Sequence, residues 1–231
     1  MIEIKGLKVA YGEKTVLDDL NLSLPHGIHG IVGLNGSGKT TLLNTIYGIV
    51  RQQSGDIYFE GEKISKRQVA FLETNNFFYS RMTGLEYLKL FKSQNKDFDI
   101  RKWNKIFELP LDTMVETYST GMKKKIALLG ILSLNRPVII LDEPFNGLDL
   151  ESIQNIKHII EILSLKGSTI IITSHILESL TSQCDKIHFL NNKKIEFSME
   201  KKDFENLEEK IFSNIESHNR QLIKELLKSE S

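Results

Sequence analysis

The stretch Gly33-Leu34-Asn35-Gly36-Ser37-Gly38-Lys39-Thr40-Thr41 decides the fold of this chain. It matches the Gly-x4-Gly-Lys-Thr pattern of a phosphate-binding loop, whose successive backbone N–H groups point at bound phosphates. In this pattern Lys39 reaches the β- and γ-phosphates, and the Thr40 hydroxyl takes one coordination position on Mg²⁺. Glycines at 36 and 38 let the main chain approach the nucleotide, where a Cβ would clash. The stretch therefore predicts a site for a nucleoside triphosphate.

The residues on either side of this loop fit that prediction. Gly27 to Val32 is a short apolar run that predicts a strand leading into the loop. Beyond it, Leu42, Leu43 and Ile46 recur at helical spacing, so a helix follows. The N-terminus of that helix favours bound anions. Strand, glycine-rich loop and helix in this order are what the motif requires.

Length and composition limit the possible classes. A chain of 231 residues with 40% hydrophobic residues predicts one large domain, with room for an inserted subdomain. Its 30 basic and 30 acidic residues balance, which argues against a nucleic-acid partner. Cys184 is the single cysteine, so an internal disulfide is excluded and a reducing compartment is favoured. Without a signal-peptide layout at the start or an apolar run of roughly 18 residues, we expect a protein that is soluble by itself.

The sequence before residue 137 divides into a strand-forming part and a helix-favouring part. Residues 1–24 alternate apolar and polar positions, and 54–62 read as a small hairpin, which together predict an N-terminal antiparallel β subdomain. Val69 to Leu72 reads as a buried strand. From about 75 to 136, helix-favouring stretches such as Leu85–Lys92 and Ile100–Leu109 predict an inserted helical subdomain, in which Trp103 serves packing.

The C-terminal half predicts a parallel sheet. The apolar run Val138 to Leu141 ends in Asp142-Glu143-Pro144 and suits a strand buried on both faces. A helix (151–165), a strand (168–173) and a helix (176–182) follow, which indicates a doubly wound, mainly parallel α/β sheet. Ligands of such sheets bind beyond the carboxyl ends of the strands. These ends carry Lys39, Asp142, Glu143 and His175.

The end of the chain carries no predicted chemistry. Residues 1–200 are taken as the catalytic domain, and 201–231 as a charged, helical C-terminal tail. The tail has one apolar stripe, formed by Leu222, Ile223, Leu226 and Leu227.

Three further motifs join the loop: Leu141-Asp142-Glu143-Pro144, Tyr118-Ser119-Thr120-Gly121-Met122 and Ser174-His175. With them, roughly residues 2–197 closely resemble the ATPase subunit of ATP-binding cassette (ABC) transporters. The resemblance implies a P-loop NTPase fold, with ATP and Mg²⁺ as cofactors.

The resemblance also assigns roles to residues. Thr40 and Asp142 are the implied Mg²⁺ ligands, and Lys39, Glu143 and His175 the implied catalytic residues. Glu143 would polarise the attacking water, and His175 would touch the γ-phosphate. Tyr11 would stack on adenine. The implied nucleotide-binding set is Tyr11, Gly33, Asn35, Gly36, Ser37, Gly38, Lys39, Thr40, Thr41, Thr74, Ser119, Gly121 and Asp149.

The resemblance further implies a second ATPase subunit. Ser119 suits an N-cap whose helix end, with Gly121, would hold the γ-phosphate bound to the opposite subunit. Two chains, identical or paired, would then enclose two ATP molecules head to tail, and Asp149 would cross the interface. We interpret the run Lys123-Lys124-Lys125 as a solvated face in preference to a set of direct ligands.

Two positions depart from the family pattern. Alignment through Met82-Thr83 and Glu86-Tyr87-Leu88 places Thr74 where the family has a glutamine that contacts Mg²⁺ and relays nucleotide state to the membrane partner. The Thr74 side chain is too short to reach the Mg²⁺ ion as a glutamine does, unless a water molecule lies between them. We therefore hypothesise that coupling to the membrane partner is retained and that ATP hydrolysis is weakened. Lys193 stands where the family often has a turn glycine.

The favoured function is an ATP-hydrolysing subunit that energises transport through a separate transmembrane permease at the cytoplasmic face of the cell membrane. The Tyr-Ser-Thr-Gly-Met form of residues 118–122 resembles exporters more than importers. One alternative is a soluble ABC-type ATPase acting on ribosomes or DNA. Another is a regulatory subunit that does not hydrolyse ATP. The cargo would bind the permease and leaves no trace in this sequence.

Overall fold

A computed structural model describes residues 1–92 and 95–215 of the chain. The predicted stripe Leu222, Ile223, Leu226 and Leu227 lies outside the described residues. Within them the chain forms ten strands and seven α-helices. The strands are β1 (Ile2–Tyr11), β2 (Lys14–Leu24), β3 (Gly27–Val32), β4 (Ser54–Phe59), β5 (Glu62–Lys63), β6 (Val69–Leu72), β7 (Val138–Asp142), β8 (Thr169–Thr173), β9 (Lys186–Asn191) and β10 (Lys194–Glu200). The helices are α1 (Lys39–Tyr47), α2 (Gly84–Lys92), α3 (Ile100–Asn104), α4 (Thr120–Ser133), α5 (Leu150–Leu165), α6 (Leu177–Thr181) and α7 (Leu207–Ile215).

The larger sheet has six strands in the order β10-β9-β3-β8-β7-β6. All neighbouring pairs from β9 to β6 are parallel, and β10 pairs with β9 in the antiparallel sense. Strands β7 and β8 are buried at every position, because helices or the second sheet cover both faces. The predicted mainly parallel α/β sheet is confirmed, and β3, β7 and β8 lie side by side.

The smaller sheet is antiparallel, with the order β2-β1-β4-β5. Tyr11 pairs with Lys14, so a two-residue turn joins β1 to β2, and its Gly12 has a φ of 59°. This confirms the predicted N-terminal antiparallel subdomain. The turn brings Tyr11 and Lys14 to the end of the sheet nearest the phosphate-binding loop, since both residues border the same pocket as that loop.

The core has two parts, one on each face of the six-stranded sheet. Along β7, Val138 and Ile140 belong to the part shared with the smaller sheet and α1. Ile139 and Leu141 belong to the part shared with α4 and α5. This alternation follows from the period of two along a strand. A continuous apolar run therefore supplies both faces, which fixes Asp142 at the edge where the strand ends.

The helical region departs from the prediction at one place. A helix was expected over Ile100–Leu109, but α3 ends at Asn104. The Asn104 side chain donates to the Leu109 carbonyl (2.9 Å) and accepts from the Leu109 N–H (3.1 Å), which closes a loop, and Glu108 has a φ of 49°. Local side-chain bonds of this kind compete with helix formation.

The turn between β9 and β10 forms without glycine. Asn192 and Lys193 have φ values of 46° and 71°, as a two-residue turn with both central residues in the left-handed region requires. The Lys193 carbonyl accepts from the Asp18 N–H at 3.0 Å, which ties the turn to β2.

In the part of the chain that the structure describes, no helix combines the length and the apolar character needed to cross a membrane.

Candidate nucleotide-binding site

A pocket of about 460 Å³ opens at the carboxyl ends of β3, β7 and β8. Most of its lining was predicted from the sequence: Tyr11, Asn35, Gly36, Gly38, Lys39, Thr40, Thr41, Thr74, Asp142, Glu143 and His175. Three lining residues were missed: Lys14, Val16 and Asn146. Lys14 and Val16 lie on β2, and only the pairing of β1 with β2 brings them here.

The glycines of the loop serve different needs. A Cβ at Gly33 would lie 2.3 Å from the Leu190 carbonyl oxygen, so only glycine allows β3 to pass β9 at this point. Gly36 has a φ of 79°, and no described atom lies within 4 Å of the position of a Cβ there. Glycine at 36 is therefore needed for its backbone conformation, and the clash expected from the sequence does not involve protein atoms.

Lys39 is a buried ammonium group at the start of α1, with only 9% of its surface exposed. Its Nζ donates to the carbonyls of Gly33 (2.7 Å) and Leu34 (3.1 Å), and among the described residues it forms no ion pair with a carboxylate. Burial lowers the pKa of Lys39, while the Glu143 and Asp142 carboxylates oppose that shift. A buried cation without an anionic partner is suited to binding an anion.

Asp142 ends β7 and is held on both carboxylate oxygens. The Thr74 hydroxyl donates to Oδ2 at 2.8 Å, and the Thr173 hydroxyl donates to Oδ1. Thr40 lines the same pocket. Carboxylate and hydroxyl oxygens are the ligands that Mg²⁺ prefers, so Thr40 and Asp142 fit a magnesium ion.

Glu143 follows with its backbone in the left-handed region, at a φ of 51°. Its N–H donates to the Thr173 hydroxyl at 3.1 Å, and its side chain is buried. The backbone N–H of His175 donates to Oε2 at 3.3 Å, and the His175 Nε2 lies 3.1 Å from Oε1. The structure therefore brings Glu143 and His175 together, as expected from their positions after β7 and β8.

The interpretation of the lysine run at the start of α4 as a solvated face is wrong for Lys124. Lys124 is buried, with 6% of its surface exposed, and its Nζ donates to the Glu143 carbonyl at 2.6 Å. Helical spacing gives the signal that was missed, because Lys124, Ala127 and Leu128 fall on one buried face. Lys125 pairs with Asp149 at 3.0 Å.

Five predicted site residues do not line the pocket: Gly33, Ser37, Ser119, Gly121 and Asp149. Ser119 is the predicted N-cap of α4, and its hydroxyl accepts from the Met122 N–H at 3.2 Å. Ser37 lies within the loop, and its buried hydroxyl has no hydrogen-bond partner among the described residues.

Asp149 caps α5 and accepts from the Ser152 N–H at 2.8 Å. The bonds from Ser152, and the ion pair with Lys125, hold the pKa of Asp149 well below its usual range. The backbone of Gly121 lies close to the Gly147 carbonyl, as a Cβ at position 121 would be only 3.0 Å from that oxygen. The predicted interface role of Asp149 stays a prediction.

Comparison with known proteins places these features in a family. The family model described as ABC transporter matches residues 17–146. The lantibiotic transport ATP-binding protein SrtF of Streptococcus pyogenes is 34% identical over 204 residues, covering 84% of this chain and 89% of SrtF. The ABC transporter ATP-binding protein YtrB of Bacillus subtilis is 31% identical over 205 residues, covering 84% of this chain and 70% of YtrB.

A solved structure gives the same result at the level of the fold. The structure of an ATP-binding subunit of an ABC transporter superposes with a TM-score of 0.82 and 25% sequence identity. The match covers 98% of this chain and 99% of the other.

Proposed function

The chain belongs to the ABC transporter family as an ATP-binding subunit with ATP hydrolase activity, and we propose that it powers export through a separate membrane permease. In this proposal the subunit is held at the cytoplasmic face of the cell membrane by that permease. The name of the relative SrtF, a lantibiotic transport ATP-binding protein, supports a role in transport and a peptide-like cargo.

The observation that carries the proposal is the convergence of four side chains on one pocket. Lys39, Asp142, Glu143 and His175 come from β3–α1, β7 and the end of β8, and all border the same space. The loop at 33–41 supplies backbone N–H groups and the dipole of α1 for phosphates. Lys39 then neutralises the γ-phosphoryl charge, which in this reaction class contributes more than any covalent chemistry.

The geometry within the pocket supports each remaining role in this proposal. Glu143 orients the attacking water. The backbone N–H of His175 donates a hydrogen bond to the Glu143 carboxylate, and the His175 ring nitrogen Nε2 lies close to the same carboxylate. Mg²⁺ bound by Thr40 and Asp142 would supply further neutralisation of phosphate charge. Tyr11 is half exposed at the rim, where its ring is free to stack on adenine.

Dimerisation is supported by the residues that lie outside the pocket. Ser119 stands exposed at the N-terminus of α4, a long helix whose dipole favours an anion. Within one subunit neither Ser119 nor Gly121 borders the pocket. A second subunit, identical or paired, would present its own Ser119 and Gly121 to complete the site.

A docking surface for the permease is supported by the segment after Thr74. Phe77 and Tyr79 are 74% and 58% exposed, and their rings meet edge to face with centroids 5.2 Å apart. Exposed aromatic pairs of this kind are typical of protein interfaces. The segment begins at Thr74, which contacts Asp142, so it can report the state of the nucleotide to a partner.

The substitution Glu143→Gln tests hydrolysis and dimerisation together. The amide cannot act as a base, so we expect hydrolysis to fall about a hundredfold or more while ATP still binds. The ATP-bound variant should then elute as a dimer in size-exclusion chromatography, and the ADP-bound variant as a monomer. Lys39→Ala is the control, because it loses the phosphate contact and should stay monomeric. Elution of Glu143→Gln as a monomer with saturating ATP would contradict the proposed dimer.

Co-purification from detergent-solubilised membranes tests the transport function. A hydrophobic partner with several spanning helices is the expected result. Ribosomal or nucleic-acid cargo in its place would favour the soluble alternative.

A further inference from the structure

We propose that Lys124 is a positioning residue for hydrolysis: it holds the backbone of Glu143 in the conformation that aims the Glu143 carboxylate into the nucleotide pocket. This inference deepens the proposed function and rests on Glu143 being the residue that orients the attacking water. Lys124 itself does not line the pocket.

The first support is the way in which the Glu143 peptide groups are held. Glu143 has a φ of 51°, a region that side-chain-bearing residues rarely adopt. Its N–H donates to the Thr173 hydroxyl, and its carbonyl accepts from Lys124 at 2.6 Å. The carbonyl also accepts a long bond of 3.4 Å from the Asn146 N–H. Strained conformations at functional sites persist only where surrounding groups hold them, and Lys124 is the charged donor that does so here.

The second support is the electrostatic cost of Lys124. Burial lowers the pKa of the Lys124 ammonium, whereas the nearby Glu143 and Asp142 carboxylates raise it. The same two carboxylates also raise the pKa of the buried Lys39, so two cations and two anions influence one another at this end of the sheet. An apolar side chain of similar length would avoid the desolvation cost, so a buried lysine is a poor choice for stability alone. Its placement at the Glu143 carbonyl gives it a use that a methionine could not provide.

The third support is the helix on which Lys124 lies. Ser119 caps the N-terminus of α4, and Lys124 is five residues further on, about 7.5 Å along the helix axis. The same rigid helix therefore carries the segment expected to contact the partner subunit's nucleotide and the lysine that holds Glu143. A shift of α4 when two subunits close would move the Glu143 backbone.

The test compares three variants of the full chain: Lys124→Met, Lys124→Arg and Lys123→Met. Lys123 belongs to the same run, and its ammonium donates to the Glu116 carbonyl at 3.3 Å and to no other described residue, so it is the matched control. Each variant is measured for single-turnover ATP hydrolysis, for affinity toward a fluorescent ATP analogue, and for amide hydrogen exchange over residues 143–149.

We expect Lys124→Met to lower the hydrolysis rate at least about tenfold, as loss of a charged hydrogen bond implies, with nucleotide affinity changed less than about twofold. Exchange over 143–149 should rise. Lys124→Arg should restore most of the rate, because it restores a cationic donor, and Lys123→Met should match the wild type. If Lys124→Met does not fold, Lys124→Leu, which also lacks a donor, takes its place with the same criteria.

Two outcomes overturn the inference. One is unchanged hydrolysis and exchange in Lys124→Met. The other is an equal loss of rate and nucleotide affinity, which would assign Lys124 a general structural role. The exchange measurement separates this inference from the proposed function, because it reports on the Glu143 backbone even if Glu143→Gln retains activity.

Discussion

At the residue scale, Thr74 stands where the resemblance of the sequence to the family implies a glutamine. The sequence suggested a side chain too short to reach the metal. The structure gives it a different contact, since its hydroxyl donates to Asp142 Oδ2 at 2.8 Å. Thr74 therefore orients an implied metal ligand, and groups that orient ligands influence metal affinity.

Replacing Thr74 by valine should test this contact with little change in volume. Without the hydroxyl, Asp142 loses one of its two hydroxyl partners, so we expect the apparent Mg²⁺ affinity to weaken about tenfold. Titration of Mg²⁺ against binding of a fluorescent nucleotide measures the effect. Thr181→Val removes an exposed hydroxyl on α6, outside the pocket, and serves as the control. Equal Mg²⁺ affinities for Thr74→Val and the wild type would show that the hydrogen bond from Thr74 to Asp142 does not contribute to Mg²⁺ binding.

Replacing Thr74 by glutamine tests the hypothesis of weakened hydrolysis. If threonine limits the rate, the longer amide should reach the metal region and raise the steady-state rate. The measurement is phosphate release at saturating ATP and Mg²⁺. A large drop in rate would contradict the hypothesis and would favour the bond to Asp142 as the reason for threonine.

At the element scale, β3 and β9 meet through a pair of buried histidines. His29 Nδ1 lies 3.2 Å from His188 Nε2, and the rings stack with centroids 5.4 Å apart. His29 Nε2 faces the Pro25 carbonyl at 2.9 Å, and His188 Nδ1 faces the Ser198 hydroxyl at 2.7 Å. A carbonyl only accepts, so Nε2 of His29 carries the proton and the whole chain of bonds is satisfied with both rings neutral.

This pair makes folding stability depend on pH. Burial, followed by the neighbouring His29, lowers the pKa of His188 to about 3, and burial also lowers the pKa of His29. Asp185 and Glu200 act against the shift at His29, and Lys186 adds to it. The unfolded chain binds a proton at His188 below about pH 6.5 and the native chain does not until about pH 3, so stability falls as pH decreases through that range. The lowered pKa of His29 acts in the same direction.

The free energy of unfolding should therefore fall by up to about 1.4 kcal/mol per pH unit from His188 within that range, and His29 should add to this fall. Urea unfolding at pH 7.5, 6.0 and 5.0 gives the slope. The variant with His29→Gln and His188→Asn should show a shallower slope, even if it is less stable at pH 7.5. An identical slope in that variant would assign the acid sensitivity to carboxylates instead.

At the scale of the whole molecule, the subunit should separate nucleotide binding from attachment to the proposed permease. The nucleotide pocket lies at the carboxyl edge of the large sheet, whereas Phe77 and Tyr79 do not line that pocket. Replacing both aromatic residues by alanine should leave nucleotide affinity within about twofold of the wild type, because no contact in the pocket changes, and should abolish co-purification with the permease.

Phe212→Ala is the control for that experiment, since Phe212 is an exposed aromatic residue of comparable size on α7, 56% exposed. It should co-purify as the wild type does. Undiminished co-purification of the Phe77/Tyr79 double variant would place the permease on another surface.

Much of the fold and most of the pocket could be predicted because their signals are local. The glycine pattern at 33–41 fixes a loop, and the apolar run at 138–141 fixes a buried strand that ends at Asp142. The end of α3 could not be predicted in the same way. The Asn104 side chain ends that helix by its hydrogen bonds to the Leu109 backbone. Such bonds compete with helix formation but leave the helix-favouring pattern of the sequence unchanged.

The sequence by itself determined the nucleotide loop, the succession of strands and helices along the chain to about residue 182, and the identity of the side chains at the strand ends. Each of these depends on residues close together in the chain. Only the tertiary structure decided that Thr74 bonds to Asp142, that His29 meets His188, and that Lys124 lies buried beneath Glu143. These contacts join residues far apart in sequence, so they depend on strand register and on how α4 packs, which no local pattern encodes.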